Sequence, residues 1–156
     1  MPRRFTFRFQ QLLDIAFFEE DEVKNRLSAK NAQIAELDDK IQGIINTREN
    51  ALKQQEIDLQ EGNIDKVKLY PNYLMVLQNQ QKNVEKERDL QIEQRDKIMS
   101  ELIEKQRQRK TYEILKEKDL AAFNKENLRQ EQKILDEFKN RLGADLGDEY
   151  EEDAEY

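Results

Sequence analysis

Paired carboxylates are the residues of this 156-residue chain that come nearest to acid–base chemistry, Glu19-Glu20 and Asp38-Asp39 among them. General acid–base catalysis needs such groups desolvated and aimed at one point. Here 34 acids are spread through a strongly charged sequence, so solvated helix faces account for the pairs. The chain has no histidine and no cysteine. That excludes imidazole catalysis, thiolate chemistry, disulfides and zinc sites of the usual Cys/His kind. The four glycines stand at 43, 62, 143 and 147, and none is followed by Lys-Ser or Lys-Thr, so no phosphate-cradling loop exists. The most basic run, Gln106-Arg107-Gln108-Arg109-Lys110, is ringed by Glu101, Glu104, Glu113 and Glu117. No basic stripe forms there, which argues against a nucleic-acid partner. The chemistry excluded is catalytic, and no cofactor or metal is expected. What remains is the chemistry of contact between proteins.

The elements that present those contacts are organised by one break, Glu61-Gly62-Asn63-Ile64-Asp65-Lys66-Val67-Lys68-Leu69-Tyr70-Pro71-Asn72. Gly-Asn stops a helix because both residues tolerate positive φ. Pro71 lacks an N–H and suits the first turn of a new helix, and it pushes Tyr70 toward extended geometry. A helix over residues 10–61, a turn over 62–71 and a second helix over 72–142 follow. Before them lies an arm, residues 1–9, in which Phe5, Phe7 and Phe9 alternate with Thr6 and Arg8. Aromatics and arginine are the residues that anchor interfaces, so the arm is either folded back on the helices or an anchor for a partner.

The first helix carries a heptad seam of Leu13, Ala16, Glu20, Val23, Leu27, Lys30, Ile34, Leu37, Ile41, Ile44, Arg48 and Ala51. Ile45, Leu52 and Leu59 lie one position further on, which predicts a stutter before the turn. The second helix has a weaker seam: Leu77, Gln81, Val84, Arg88, Gln91, Arg95, Ile98, Leu102, Lys105, Arg109, Tyr112, Lys116, Asp119 and Phe123. Polar seam residues lower stability but fix register. Ile114, Leu115, Leu120 and Ala122 predict a drift of phase, and Leu128, Leu135, Phe138 and Leu142 restore heptad spacing. Gly143 is the expected C-terminal stop. The fold class is all-α, a long antiparallel two-helix coiled-coil hairpin whose second helix is longer.

Composition agrees. Charged residues make up 39% and hydrophobic ones 37%, with two prolines, the profile of an extended helical protein rather than a compact domain. The net charge of −7 comes from seven acids between Asp145 and Tyr156; the rest is formally neutral. Residues 143–156 therefore read as an acidic, disordered tail. The N-terminus is basic without a following apolar run, and no stretch approaches the roughly 20 apolar residues of a membrane span. The expectation is a cytoplasmic chain with no membrane insertion. At 1.5 Å per residue the helices would be about 76 and 106 Å long. Zipped from the turn, the first runs out near residue 122, leaving an overhang of about 20 residues. The overhang holds Leu128–Leu142, an apolar stripe whose one intramolecular partner would be the arm. Such a stripe suggests an interaction site or self-association.

Three features together resemble the family of the flagellar export protein FliJ. They are the start Phe5, Phe7, Phe9, Gln10, Leu12, Leu13; the helix–break–helix layout; and the segment Arg109-Lys110-Thr111-Tyr112-Glu113-Ile114-Leu115-Lys116 leading to Gln132-Lys133-Ile134-Leu135-Asp136-Glu137-Phe138. The resemblance covers the helices and not the acidic tail. It implies a non-enzymatic component of the flagellar type III export apparatus, similar to the central stalk of rotary ATPases and peripheral at the cytoplasmic face of the inner membrane. The end carrying the termini would dock in the hexameric export ATPase (FliI-type) and promote its assembly and activity. Phe5, Phe7, Phe9, Leu12 and Leu13 would serve there, with Leu135, Phe138 and Leu142 opposite. The hairpin end would reach the export gate protein FlhA through Gln42, Asn46, Glu49 and Lys53 on one stripe and Tyr73, Val76, Gln80 and Asn83 on another. The aromatic residues that the family shows on those stripes are mostly missing here. A role in escorting export chaperones is also implied. Two other readings stay open: a stalk protein of a virulence-type injectisome, and a structural coiled-coil tether that dimerises through its overhang.

Overall fold

The computed structural model describes residues 3–152, with side chains described for residues 3–146. Helix α1 spans Gln10–Gln60, a single turn α2 spans Ile64–Val67, and α3 spans Tyr70–Glu152. Contacts divide the chain into two compact units, one of residues 17–107 and one of the chain up to Ala16 together with the chain from Gln108 onward.

In the first of these units α1 and α3 run antiparallel. Side-chain pairs show it: Glu19 with Lys105, Arg26 with Glu101, Lys30 with Gln94 and Gln91, Asp38 with Arg88 and Asp58 with Tyr70. As the α1 number rises, the α3 number falls. This is a two-helix coiled-coil hairpin, and its second helix is the longer. The core is the heptad seam. Val23, Ile34, Leu37, Ile41, Ala51 and Leu77 are buried, and Leu27, Ile44, Arg48, Val84, Ile98 and Leu102 half-buried. Each well-buried Val, Leu or Ile contributes about 1.5–3 kcal/mol relative to exposure.

The expected stutter is absent. Ile45 is half-buried beside Ile44, but Leu52 and Leu59 are 44% and 64% exposed, and the heptad continues unbroken through Ala51 and Gln55 to Asp58, which is 3% exposed. A buried carboxylate holds that position because it is satisfied. Tyr70 donates its hydroxyl to Asp58 Oδ2 at 2.7 Å, and Gln54 Nε2 donates to Oδ1 at 3.3 Å. The Tyr70 hydrogen bond holds the Asp58 carboxyl below its usual range and pushes the Tyr70 phenol up.

Elsewhere the seam is polar and only partly satisfied. Lys30 Nζ donates to Gln91 Oε1 at 2.7 Å and Gln94 Oε1 at 2.8 Å, and Glu20, 2% exposed, pairs with Lys24 at 3.1 Å. Gln81 Oε1, Arg88 Nε and Arg95 Nε are buried without a hydrogen-bond partner. A buried orphan of this kind costs about 1–3 kcal/mol, so residues 81–95 are the weakly zipped part of α3.

Between the helices, Gly62 has φ 78°, the left-handed conformation that glycine adopts without a Cβ penalty. Gly62 N–H donates to Leu59 O and Asn63 N–H to Asp58 O at 3.3 and 2.9 Å, capping the last carbonyls of α1. The break is where the sequence places it. Tyr70, however, is already the first residue of α3 rather than extended, with Pro71 in the first turn.

Two expectations about α3 fail in the other unit. Up to Phe123 the phase does not drift: Arg109, Tyr112, Lys116, Asp119 and Phe123 stay half-buried in register, while Ile114, Leu120 and Ala122 are exposed and Leu115 is half-buried beside the seam. The helix also passes the expected stop at Gly143 and runs to Glu152, into the segment read as disordered. Gly143 lacks the positive φ that closes α1 at Gly62. A helical glycine costs only about 1 kcal/mol, which is not enough to end a helix. Residues 153–156 of the expected tail lie outside the described residues, as do Met1 and Pro2 of the arm.

Candidate docking surfaces

The arm is folded back, not free. Phe7 is 4% exposed, Phe5 and Phe9 are half-buried and Leu13 is 3% exposed. Phe5 meets Phe123 with ring centroids 5.5 Å apart, and Phe7 meets Phe9 edge-on at 5.9 Å. Arg8 lies 4.8 Å over the Phe9 ring and pairs with Asp119 at 3.6 Å. Lys116 donates to Gln10 Oε1 at 2.8 Å. The carbonyls of Phe7 and Phe9 accept the N–H groups of Gln10 and Leu13, joining the arm to the first turn of α1. Aromatic pairs in favourable edge-to-face or inclined geometry add about 0.5–1.5 kcal/mol beyond the area they bury. The arm thus extends the cover of α3 past the end of α1. It packs on α3 within its own unit, and Phe5, Phe7, Phe9 and Leu13 are occupied there.

The other half of the proposed ATPase-docking set is bare. Leu135, Phe138 and Leu142 are 58%, 60% and 47% exposed, and Leu12 on α1 is 43% exposed. Every residue from Glu131 to Leu146 is exposed. The structure does not bring Leu135, Phe138 and Leu142 against the phenylalanines of the arm. Their spacing explains why. After Phe123 the half-buried positions are Asn127 and Gln130; a strict heptad would give Glu126, which is exposed, so the seam slips by one residue there. The apolar residues fall one position later, at Leu128, Leu135 and Leu142, about 100° further round the helix. Leu128 and Leu146 extend the stripe to about 27 Å, and Ile134 widens it. It is a face of its own, not a frayed continuation of the seam.

The eight residues expected at the export gate are all exposed in the unit of residues 17–107, with Tyr73 46% and Val76 51% exposed. The pairs Asp38–Arg88 and Asp58–Tyr70 bracket them. By that register Lys53 lies level with Tyr73, Glu49 with Val76, Asn46 with Gln80 and Gln42 with Asn83. Within the first stripe Gln42 donates to Asn46 at 3.1 Å. Sequence reasoning missed the apolar residues at the turn itself. Ile64 and Leu69 in the break, and Leu59 in the last turn of α1, are each more than 60% exposed, and the signal was available as large apolar residues in and beside a break.

Among the described residues no cluster of three or more acids gathers to hold a metal, and no helix is long and apolar enough to cross a membrane. The family model described as "FliJ: Flagellar FliJ protein" matches residues 5–145, nearly all of the described chain. No curated protein and no solved structure matches it.

Proposed function

Because the chain belongs to the FliJ family of flagellar proteins, we propose that it is the central-stalk-like coiled coil that links the export ATPase to the export gate. Membership makes it a non-catalytic component of the flagellar export apparatus; the partners and the division of labour are our reading. The observation that carries it is the bare apolar face Leu128–Leu135–Phe138–Leu142. In this reading that face, with Leu12, docks in the FliI-type hexamer and promotes its assembly and ATP hydrolysis. The arm phenylalanines support it from within by packing on α3 beside Phe123. The exposed stripes at Gln42–Lys53 and Tyr73–Asn83 face the gate protein FlhA. Escort of export chaperones would use the same exposed surfaces. The chain would then act as a cytoplasmic protein, peripheral at the inner membrane. The injectisome alternative is not favoured by the family match, which is flagellar.

The test is ATP hydrolysis by the purified export ATPase as this chain is added. The account expects stimulation by the native chain, and its loss in a Leu135→Ser/Phe138→Ser variant that melts at the native temperature. Full stimulation by that variant would remove the face from the docking role. The same face would also suit a second copy of the chain. Light scattering separates the two, since a stalk is monomeric without the ATPase and a tether is dimeric.

A further inference from the structure

A connection between helices is ordinarily polar, because it is bathed in solvent. Here Ile64 and Leu69 are 62% and 69% exposed, with Leu59 in the last turn of α1 at 64% and Met75 and Val76 in the start of α3 at 62% and 51%. The patch has a shape. Lys66, Leu69, Tyr70 and Tyr73 line a groove of about 190 Å³. One wall is held in place: the Tyr70 hydroxyl is bound to the buried Asp58 at 2.7 Å, so its ring cannot swing without breaking that bond. Leu69 and the two phenol rings make the lining largely apolar. Lys66 is the formal charge at its edge; its field reaches Asp58, but it forms no direct ion pair among the described residues.

We propose that this groove docks a protein segment presenting one bulky apolar side chain flanked by carboxylates. The apolar side chain packs between Leu69 and the rings of Tyr70 and Tyr73, where an aromatic occupant gains edge or offset contacts. A neighbouring carboxylate accepts from the Lys66 ammonium in a charge-assisted hydrogen bond. A segment flanked by lysines meets a like charge at the same point, and a segment with a small side chain leaves the apolar lining wet. The identity of the partner as the export gate rests on the function proposed above; the recognition chemistry does not.

The full-length chain, labelled with ¹³C at leucine methyls, is titrated with three capped peptides: Asp-Phe-Asp, Lys-Phe-Lys and Asp-Ala-Asp. The expected result is a saturable shift of the Leu69 methyls with Asp-Phe-Asp, and binding at least about tenfold weaker for the other two. Lys66→Glu, an exposed change in α2, reverses the preference between the two Phe peptides, and Leu69→Ser abolishes the response. No saturable shift up to about 10 mM overturns the proposal. So does equal binding of Lys-Phe-Lys, or an equal shift at Leu128 and Leu135, which would mark non-specific adsorption. In parallel, the purified cytoplasmic domain of the gate is tested against native and Leu69→Ser chains. Peptide recognition without any gate binding would leave the groove standing and sink the gate as its partner.

Discussion

Two neighbouring stretches of α3 invert the ordinary relation between polarity and burial. Over residues 109–123 the seam is Arg109, Tyr112, Lys116, Asp119 and Phe123, three of the five formally charged, and all are half-buried. Over residues 128–146 the helix carries Leu128, Ile134, Leu135, Phe138, Leu142 and Leu146, each between 47% and 66% exposed. Periodicity decides which residues share a face, but burial needs something opposite. The polar stretch has it: Lys116 bonds to Gln10, Asp119 pairs with Arg8 and Phe123 meets Phe5. Nothing described covers the apolar stretch. A covered polar face can remain soluble before it folds, whereas a bare apolar one is stable in use only against a second molecule.

The comparison can be broken most severely at the arm. Phe7→Ala should lower stability by about 3 kcal/mol, the cost of emptying a buried phenylalanine site, while Phe138→Ala should change it by less than about 0.5 kcal/mol. Chemical denaturation of both variants checks this, and equal losses would mean that Phe138 is covered within the chain. Next in size, Lys116→Leu should gain about 1 kcal/mol by adding an apolar residue to a covered position. A net loss would show that the Lys116–Gln10 bond is the stronger contribution. Gly143→Ala should stabilise the bare stretch by about 0.8–1 kcal/mol through helix propensity alone, because no atom lies within 4 Å of the added Cβ. Slower amide exchange confined to that stretch would confirm it. The smallest effect belongs to the turn, which serves as a control away from both stretches. Asp58 is held below its ordinary 3.8 by Tyr70, so its contribution is complete above that value and lost as pH falls through the lowered one. Tyr70 is raised above 10.0 by the same bond, so its contribution is complete below that value and lost as pH rises through the raised one. Stability from this pair should be flat between about pH 5 and 9. In Tyr70→Phe the Asp58 titration, followed by carboxyl NMR, should move up toward 3.8; an unmoved midpoint would refute the assignment.

The seam was legible from spacing: all twelve positions assigned to α1 and all fourteen assigned to α3 are buried or half-buried. Helix lengths place the overhang less well: Gln10, the first residue of α1, bonds to Lys116, so α1 runs out near residue 116 rather than 122, and α3 continues to Glu152. The errors share one cause, a preference for apolar residues over register. Leu52 and Leu59 suggest a slip after Ala51, whereas the seam goes on to Asp58; the hydroxyl that satisfies Asp58 comes from Tyr70, across the turn, and no local pattern shows it. Ile114 and Leu120 misled in the same way. Gly143 suggests a stop by residue type alone, but it lacks the positive φ and the capping hydrogen bonds that close α1 at Gly62. The arm was recognised as aromatic, but its spacing could not say whether it faced α3 or a partner. The Phe5–Phe123 contact is a long-range fact.

The central claim, that the bare face of α3 is the docking face, is tested most directly by photocrosslinking. A benzophenone side chain is placed at Phe138 or, as the covered control, at Lys116, and the full chain is irradiated with the export ATPase. The account predicts an ATPase adduct from position 138 and little or none from position 116. Adducts to a second copy of the chain alone, or equal ATPase yields from both positions, would contradict it.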